Sequence, residues 1–305
     1  MSRAVLITGA TGKQGGAVIN ALLKANANFE ILALTRDAQS ASAKRLQQKS
    51  PKIKMVTGNM DAPDNIFAKA KEVTKTPVWG VFSVQTAIGG GANHRTEEVQ
   101  GKALIDASIK NGVKHFVYSS VDRCGDKSDQ NPTDIPHFIS KHNIEQHLYA
   151  KTKKGEMDWT VLRPVAFFEN LTPDFFGKIF TTSYKIVLEK NRKLQLITTG
   201  DIGFFAAQAL MNPEEYKGKK ISLAGDELTF DEFQAIYKEK TGEDLFFTYH
   251  FVARIVLWMV KEMGYMFRWF QNVGYGADIA ALRKINPDLK DFRKWLDEDS
   301  PFKTR

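Results

Sequence analysis

Val5-Leu6-Ile7-Thr8-Gly9-Ala10-Thr11-Gly12-Lys13-Gln14-Gly15-Gly16 is the stretch that decides the fold. An apolar run, Ala4–Thr8, feeds directly into glycines spaced GxxGxxG. These open a segment with helical spacing, Gly15–Asn26, in which Ala17, Ala21, Leu22 and Ala25 are expected on one face. Gly9 permits a tight turn off the strand, Gly12 lets the backbone approach a ligand closely, and Gly15 lets helix and strand pack together. The helix start then offers unpaired N–H groups and the positive end of its dipole. Between a strand and a helix, such a turn implies a dinucleotide pyrophosphate.

The pattern outward from this turn repeats it. Short β-branched and aliphatic runs follow at Glu30–Thr35, Ile53–Thr57, Val78–Val84, His115–Ser120 and Trp159–Arg163. Helical spacing fills the gaps, as in His94–Asn111 (Val99, Ala103, Ala107), with Gly112 placed as a C-terminal cap. Strands alternating with helices imply right-handed βαβ units, and continuous apolar strands imply a sheet buried on both faces. The fold class expected is α/β, a Rossmann-type doubly wound parallel sheet with a smaller, mostly helical C-terminal substrate or partner domain.

After Pro164 the pattern changes. Val165–Lys190 is aromatic-rich and irregular, Asp201–Met211 reads as a helix, and Lys220–Ala224 reads as a strand returning to the sheet. Thr229–Gly242 reads as a helix with a capping box between Thr229 and Glu232. Phe251–Gln271 is a second helical stretch dense in Trp, Met and Phe, expected as core or lid, or as an adaptable partner surface or apolar pocket. Residues 1–164, completed by 201–226, form the expected nucleotide domain. Residues 165–200 and 227–305 form the smaller one.

The chain of 305 residues carries a formal net charge of +8, which suits an anionic partner. A single cysteine, Cys124, excludes an internal disulfide and a cysteine-built metal site. His137, His142 and His147 do not share one helical face, so no metal is expected. The lysine clusters at Lys69/Lys71/Lys75, Lys151/Lys153/Lys154 and Lys217/Lys219/Lys220 fall in no nucleic-acid motif, and direct nucleic-acid binding is not expected. Met1-Ser2-Arg3 leads straight into strand pattern, and Phe251–Val260 is too short to span a bilayer. A cytoplasmic location, extended to the nucleus, is expected, with no membrane partner; a homodimer is a candidate assembly. Arg36 follows the second strand where a dinucleotide's adenosine ribose lies. Its guanidinium suits a 2′-phosphate, which favours NADP(H) over NAD, with Lys13, Lys44 or Arg45 in support.

Further motifs carry a family resemblance. Gly9xxGly12xxGly15-Gly16, Thr35-Arg36, Gly58-Asn59-Met60-Asp61, His137-Phe138-Ile139-Ser140-Lys141, Leu162-Arg163-Pro164, Phe167-Phe168-Glu169-Asn170-Leu171, Asp201-Ile202-Gly203 and Ile285-Asn286-Pro287…Trp295-Leu296 resemble the NmrA-like family. That family is an atypical branch of the short-chain dehydrogenase/reductases, and the sequence is most similar to its HSCARG-type redox-sensor branch. The resemblance implies NADP(H) binding by Gly9, Thr11, Gly12, Gln14 and Gly15 at the phosphates and Arg36 at the 2′-phosphate. It places Asn59 and Met60 near adenine, Ser83-Val84-Gln85 and Lys141 near the nicotinamide ribose, and Pro164 to Phe167 against the nicotinamide. Asn59 stands where the family more often has Asp.

The dehydrogenases proper use Tyr and Lys four residues apart; here His137 stands four before Lys141. Ser119 and Ser120 end the fifth strand where a dehydrogenase Ser sits. Three readings stay open: His137 donates the proton, Lys141 acts alone, or neither is catalytic. Lys141 and Glu145 would also make an ordinary i,i+4 surface pair. The resemblance accordingly implies either a redox-responsive regulator of transcription or signalling acting through a protein partner, or an NADPH-dependent oxidoreductase of a hydrophobic small molecule.

Overall fold

The computed structural model describes residues 3–86 and 93–304. Met1 and Ser2 of the expected lead into the first strand lie outside the described residues. The order is β1 (Arg3–Ile7), α1 (Lys13–Lys24), β2 (Phe29–Thr35), α2 (Ala41–Gln47), β3 (Ile53–Thr57), α3 (Pro63–Val73), β4 (Val78–Ser83), α4 (His94–Lys110), β5 (His115–Ser119), α5 (Pro136–Lys151), β6 (Asp158–Pro164) and β7 (Ala166–Phe167). Then come α6 (Phe175–Val187), β8 (Leu194–Ile197), α7 (Thr199–Met211), α8 (Pro213–Tyr216), β9 (Lys220–Leu223), β10 (Asp226–Leu228), α9 (Phe230–Thr241), α10 (His250–Met259), α11 (Lys261–Asn272), α12 (Ile279–Ile285) and α13 (Phe292–Glu298).

The main sheet has seven strands in the order β3-β2-β1-β4-β5-β6-β9. Its pairs are parallel, with Leu6 opposite Leu32 and Val81. β9 joins as the sequence expects: Val161 N donates to Lys219 O and Val165 N to Leu223 O, a step in one direction. Strand order reverses between β1 and β4, the switch point where α/β sheets open a crevice at their carboxyl ends. β1 is apolar from Ala4 to Ile7 because both faces are covered, and all four residues are fully buried.

Packing divides the chain into two compact units: Met1–Ser120, Ser140–Arg163 and Ile202–Ile221 in one, and Val121–Ile139, Pro164–Asp201 and Ser222–Arg305 in the other. The first has an aliphatic core around Leu6, Leu32, Val81, Leu104, Ile144 and Val161. The second is aromatic, with Phe292 stacked on Phe233 at 4.2 Å between centroids and on Trp295 at 5.9 Å. It also contains a small sheet in the order β10-β8-β7. No helix among the described residues is long and apolar enough to cross a membrane.

The helices differ from the sequence reading in four places. α1 buries Val18, Ile19 and Leu22, while Ala25 is exposed, so its inward face is turned from the expected alanine stripe. In α4, Val99 points outward, and Glu97 takes an inward position instead. Val165–Lys190, expected to be irregular, contains the thirteen-residue helix α6. Thr181 and Thr182 disfavour a helix locally, yet both are buried and return their hydroxyls to the carbonyls of Gly177 (3.1 Å) and Lys178 (2.6 Å). Phe251–Gln271 is not one helix: it breaks at Val260 (φ −92°, ψ 78°) into α10 and α11. The capping box of α9 is formed, Glu232 N donating to Thr229 Oγ1 at 3.2 Å and Thr229 N to Glu232 Oε2 at 2.8 Å.

Among the buried titratable groups shifted from their ordinary range are His115 and Asp201. Desolvation holds the His115 imidazole down at about 4, against weak upward pulls from Asp158 and Glu214. Thr160 Oγ1 donates its proton to Tyr216 O, so it accepts from His115 Nε2–H at 3.0 Å, which fixes the neutral tautomer. In the second unit, burial raises Asp201 to about 6, opposed by hydrogen bonds from Lys290 N and Asn286 Nδ2.

Candidate dinucleotide site

The glycine turn closes on itself at the end of β1. Gly9 adopts φ +58°, Gly12 N donates to Gly9 O at 2.9 Å, and α1 begins at Gly12 without a side-chain cap. A Cβ at Gly15 would stand 2.4 Å from both Gly9 O and Thr8 O, so this strand-to-helix contact admits only glycine. Thr8 ties the turn to the neighbouring strand: its hydroxyl donates to Val84 O at 3.0 Å and accepts from Val84 N at 2.8 Å.

A cavity of about 660 Å³ lies at the carboxyl ends of the strands beside the switch point. Gly9, Thr11 and Gly12 line it after β1, Arg36 and Asp37 after β2, Asn59 and Met60 after β3, and Gln85 after β4. Seven of the expected cofactor residues, Gly9, Thr11, Gly12, Arg36, Asn59, Met60 and Gln85, thus meet around one hollow. Gln85 is buried and donates from Nε2 to Ser83 Oγ at 2.8 Å, leaving its buried Oε1 without a hydrogen-bond partner among the described residues. A ligand donor would satisfy that atom.

Arg36 is exposed and makes no hydrogen bond or ion pair among the described residues. The adjacent Asp37 makes no ion pair with it among the described residues; its carboxylate accepts from Gln39 N at 2.7 Å. Lys13, Lys44 and Arg45 are not part of the lining; Ser40 and Ser42 are. Asn59 is held by Asp61, donating to its carboxylate at 2.8 Å and accepting from its backbone N–H at 3.2 Å. Gln14 sits in the first turn of α1, where its Oε1 accepts from Ser119 Oγ at 2.6 Å.

Lys141 is elsewhere in the same unit. Its Nζ lies 2.7 Å from Glu97 Oε1, with the Glu97 side chain fully buried and that of Lys141 12% exposed. Glu97 Oε2 also accepts from Ser140 Oγ at 2.5 Å. The expected surface pair of Lys141 with Glu145 does not form: Glu145 is buried and takes Arg163 Nη2 at 2.6 Å and the Ser120 hydroxyl. His137, one turn before Lys141 on α5, belongs to the second unit, as do Pro164 and Phe167. There Glu262 Oε1 accepts from His137 N at 3.0 Å and lies 2.7 Å from His137 Nδ1.

The NmrA-like family model matches residues 1–296. The chain belongs to the NmrA-like family. An NmrA-like family domain-containing protein of Dictyostelium discoideum is 25% identical over 309 residues, 97% of this chain and 97% of that protein. The NmrA-like family domain-containing oxidoreductase FrzB of Cladobotryum sp is 27% identical over 263 residues, covering 80% of this chain and 75% of that one. Among solved structures, NmrA, described as a negative transcriptional regulator, is 16% identical in crystals with NADP and with NAD, at TM-scores of 0.71 and 0.72 over 99% of this chain and 96% of that one. At that identity the likeness is one of fold. These matches establish the family as a whole rather than its redox-sensor branch.

For this NmrA-like chain, sequence reasoning missed Thr8, Ser40, Ser42 and Glu97. Ser40 carried a signal: it is the N-cap of α2, accepting from Ala43 N at 3.3 Å, a role its residue type favours. Glu97 carried none, since a lone Glu on a helix reads as surface.

Proposed function

We propose that this NmrA-like chain binds NADP(H) in the cavity beside the glycine turn and acts as a redox-responsive regulator through a protein partner, as in the family's redox-sensor branch. The observation that carries the cofactor is the meeting, around one hollow, of the glycine turn with the Arg36 guanidinium and Gln85 Oε1, neither of them hydrogen-bonded among the described residues. Gly9, Thr11, Gly12, Gln14 and Gly15 would hold the pyrophosphate, Arg36 the 2′-phosphate, and Asn59 and Met60 the adenine. Bound NADPH would supply a hydride donor. Regulation is favoured over turnover by the Lys141–Glu97 pair: a proton given up by Lys141 would strand a buried carboxylate without its cation.

A second reading, an NADPH-dependent reductase of a hydrophobic small molecule, rests on His137. A carboxylate on Nδ1 orients an imidazole for proton transfer, and Glu262 supplies it. The FrzB relative is named an oxidoreductase.

Thermal shift tests the cofactor. NADP at 100 times its Kd should stabilise the chain by about 2.7 kcal/mol, and NAD at equal concentration should do less. Equal shifts, unchanged by Arg36→Ala, would remove the case for NADP. NADPH absorbance with a panel of carbonyls and enones separates the two readings. No oxidation, with partner binding that depends on the cofactor, supports the regulator. Oxidation abolished by His137→Ala supports the reductase. Oxidation that survives alanine at both His137 and Lys141 refutes both catalytic assignments.

A further inference from the structure

Helix α10 turns an apolar stripe outward. Phe251, Ile255 and Met259 recur one turn apart and are all exposed, with Trp258 beside them 79% exposed and Tyr249, just before the helix, 75% exposed. The opposite side is already covered, since Ala253 is buried, Leu257 packs on the aromatic core, and α10 rests on α6 and α11. A helix apolar on both sides and covered on one leaves a face for something outside the chain. The apolar surface continues onto α6. Phe175 and Phe176 are exposed there, 5.7 Å apart edge to face, and Phe175 and Tyr249 line one hollow of about 590 Å³.

Charge says what covers it. Arg254 lies on the exposed side of α10, Lys261 and Arg268 are exposed on α11, and none of the three is ion-paired among the described residues. The carboxylate on these two helices, Glu262, is turned to His137, and Asp174 beside Phe175 caps α6 by accepting from Gly177 N at 3.0 Å. A second copy would set Arg254 and Lys261 against their own images across a two-fold axis. Aromatic rings standing this far out of the surface also differ from the recessed pockets that receive a peptide's anchors. Such rings suit a lipid interface, where Trp and Tyr sit at headgroup level and Lys and Arg meet anionic headgroups.

We propose that the outer face of α10, with the start of α6, docks this protein on an anionic lipid bilayer. The face lies on the bilayer surface and does not cross it. This proposal is independent of the cofactor reading.

The test is co-sedimentation of the full chain with phosphatidylcholine vesicles, with and without phosphatidylserine, together with tryptophan emission. Two or three cations at the headgroups correspond to roughly 30-fold or more tighter binding to the anionic vesicles. The expected result is that preference, a blue shift on binding that Trp258→Ser abolishes, and loss of binding in Phe251→Ser/Trp258→Ser with an unchanged thermal midpoint. Because both positions are exposed, the double variant should fold. No binding to phosphatidylserine vesicles overturns the proposal. So does binding that the double variant retains, which would be adsorption by net charge, or a wild-type dimer that the double variant converts to monomer.

Discussion

The pairing of Lys141 with Glu97 can be weighed by a double-mutant cycle. Glu97 is fully buried, its Oε1 2.7 Å from Lys141 Nζ and its Oε2 on Ser140 Oγ. Lys141→Met removes the cation and leaves the carboxylate with one hydroxyl donor. Breaking a buried pair from one side costs about 3–5 kcal/mol, and the Ser140 hydrogen bond keeps this case near the lower end, at about 3 kcal/mol. Glu97→Gln strands the cation, but Lys141 retains 12% exposure and a flexible stem that can reach water, so about 2 kcal/mol is expected. The double variant leaves no uncompensated charge. It should cost less than the sum of the two by about 2 kcal/mol of coupling. Urea unfolding of the four proteins at neutral pH measures this. A Lys141→Met cost below about 0.5 kcal/mol, or strictly additive costs, would refute the pair as a structural element. Lys141 would then be available for proton transfer.

Other expectations follow from single sites. If Arg36 holds the 2′-phosphate as proposed, Arg36→Ala should weaken NADP by about 2 kcal/mol, roughly 30-fold, and leave NAD nearly unchanged by calorimetry, because charge-assisted bonds would be lost at an exposed position. Gly15→Ala places a Cβ 2.4 Å from two backbone oxygens, so a cost of about 3 kcal/mol, with loss of cofactor binding, should appear in thermal unfolding. His115, held down at about 4, contributes stability that is complete above pH 6.5 and is lost as pH falls toward 4, up to about 3 kcal/mol; His115→Gln should remove that acid sensitivity. Asp201 has the opposite sign: raised to about 6, it binds a proton more tightly in the folded state, so its contribution is complete below about pH 4 and fades as pH rises through 6. Asp201→Asn should therefore gain stability relative to the parent at pH 7 compared with pH 4, by up to about 3 kcal/mol in denaturant titrations.

The elements read correctly from sequence are those whose signal is local. β1 to β6 are short runs rich in β-branched and aliphatic residues, and α9 carries both halves of its capping box within four residues. The cavity lining is legible for the same reason, since each lining segment directly follows a strand end next to the switch point. The errors come from contacts made at a distance. In α1, Ala17 packs where α7 crosses it, a Cβ at Gly203 standing 2.5 Å from the Ala17 carbonyl carbon, whereas Ala25 at the end of the same expected face is exposed. Val99 faces outward because Glu97 takes the inward position, and Glu97 is inward because Lys141, 44 residues later, meets it there. The break at Val260 brings Gly264 onto the end of α10, where a Cβ would stand 2.3 Å from Leu257 O, and packing separates the buried Phe267, Trp269 and Phe270 of α11 from the exposed stripe of α10.

Two buried carboxylates, Glu97 and Glu145, share one pattern: each meets a cation, Lys141 or Arg163, and a serine hydroxyl, that of Ser140 or Ser120. Ion pairs this deep add little net stability over apolar residues of equal size, but breaking one from either side is costly. α5 carries Ser140, Lys141 and Glu145 within two turns, and a slip of one residue would strand buried charges from both pairs at once. The same two pairs absorb Ser120 and Lys141, groups that stand where a dehydrogenase keeps its proton-transfer residues, while Ser119 is committed to Gln14 at the start of α1. Paired in this way, Ser140, Lys141 and Glu145 hold their part of α5 in place within the nucleotide cavity's own unit. That pairing is why binding and turnover in this NmrA-like chain are separable questions, and why the Lys141→Met cost measures one without presupposing the other.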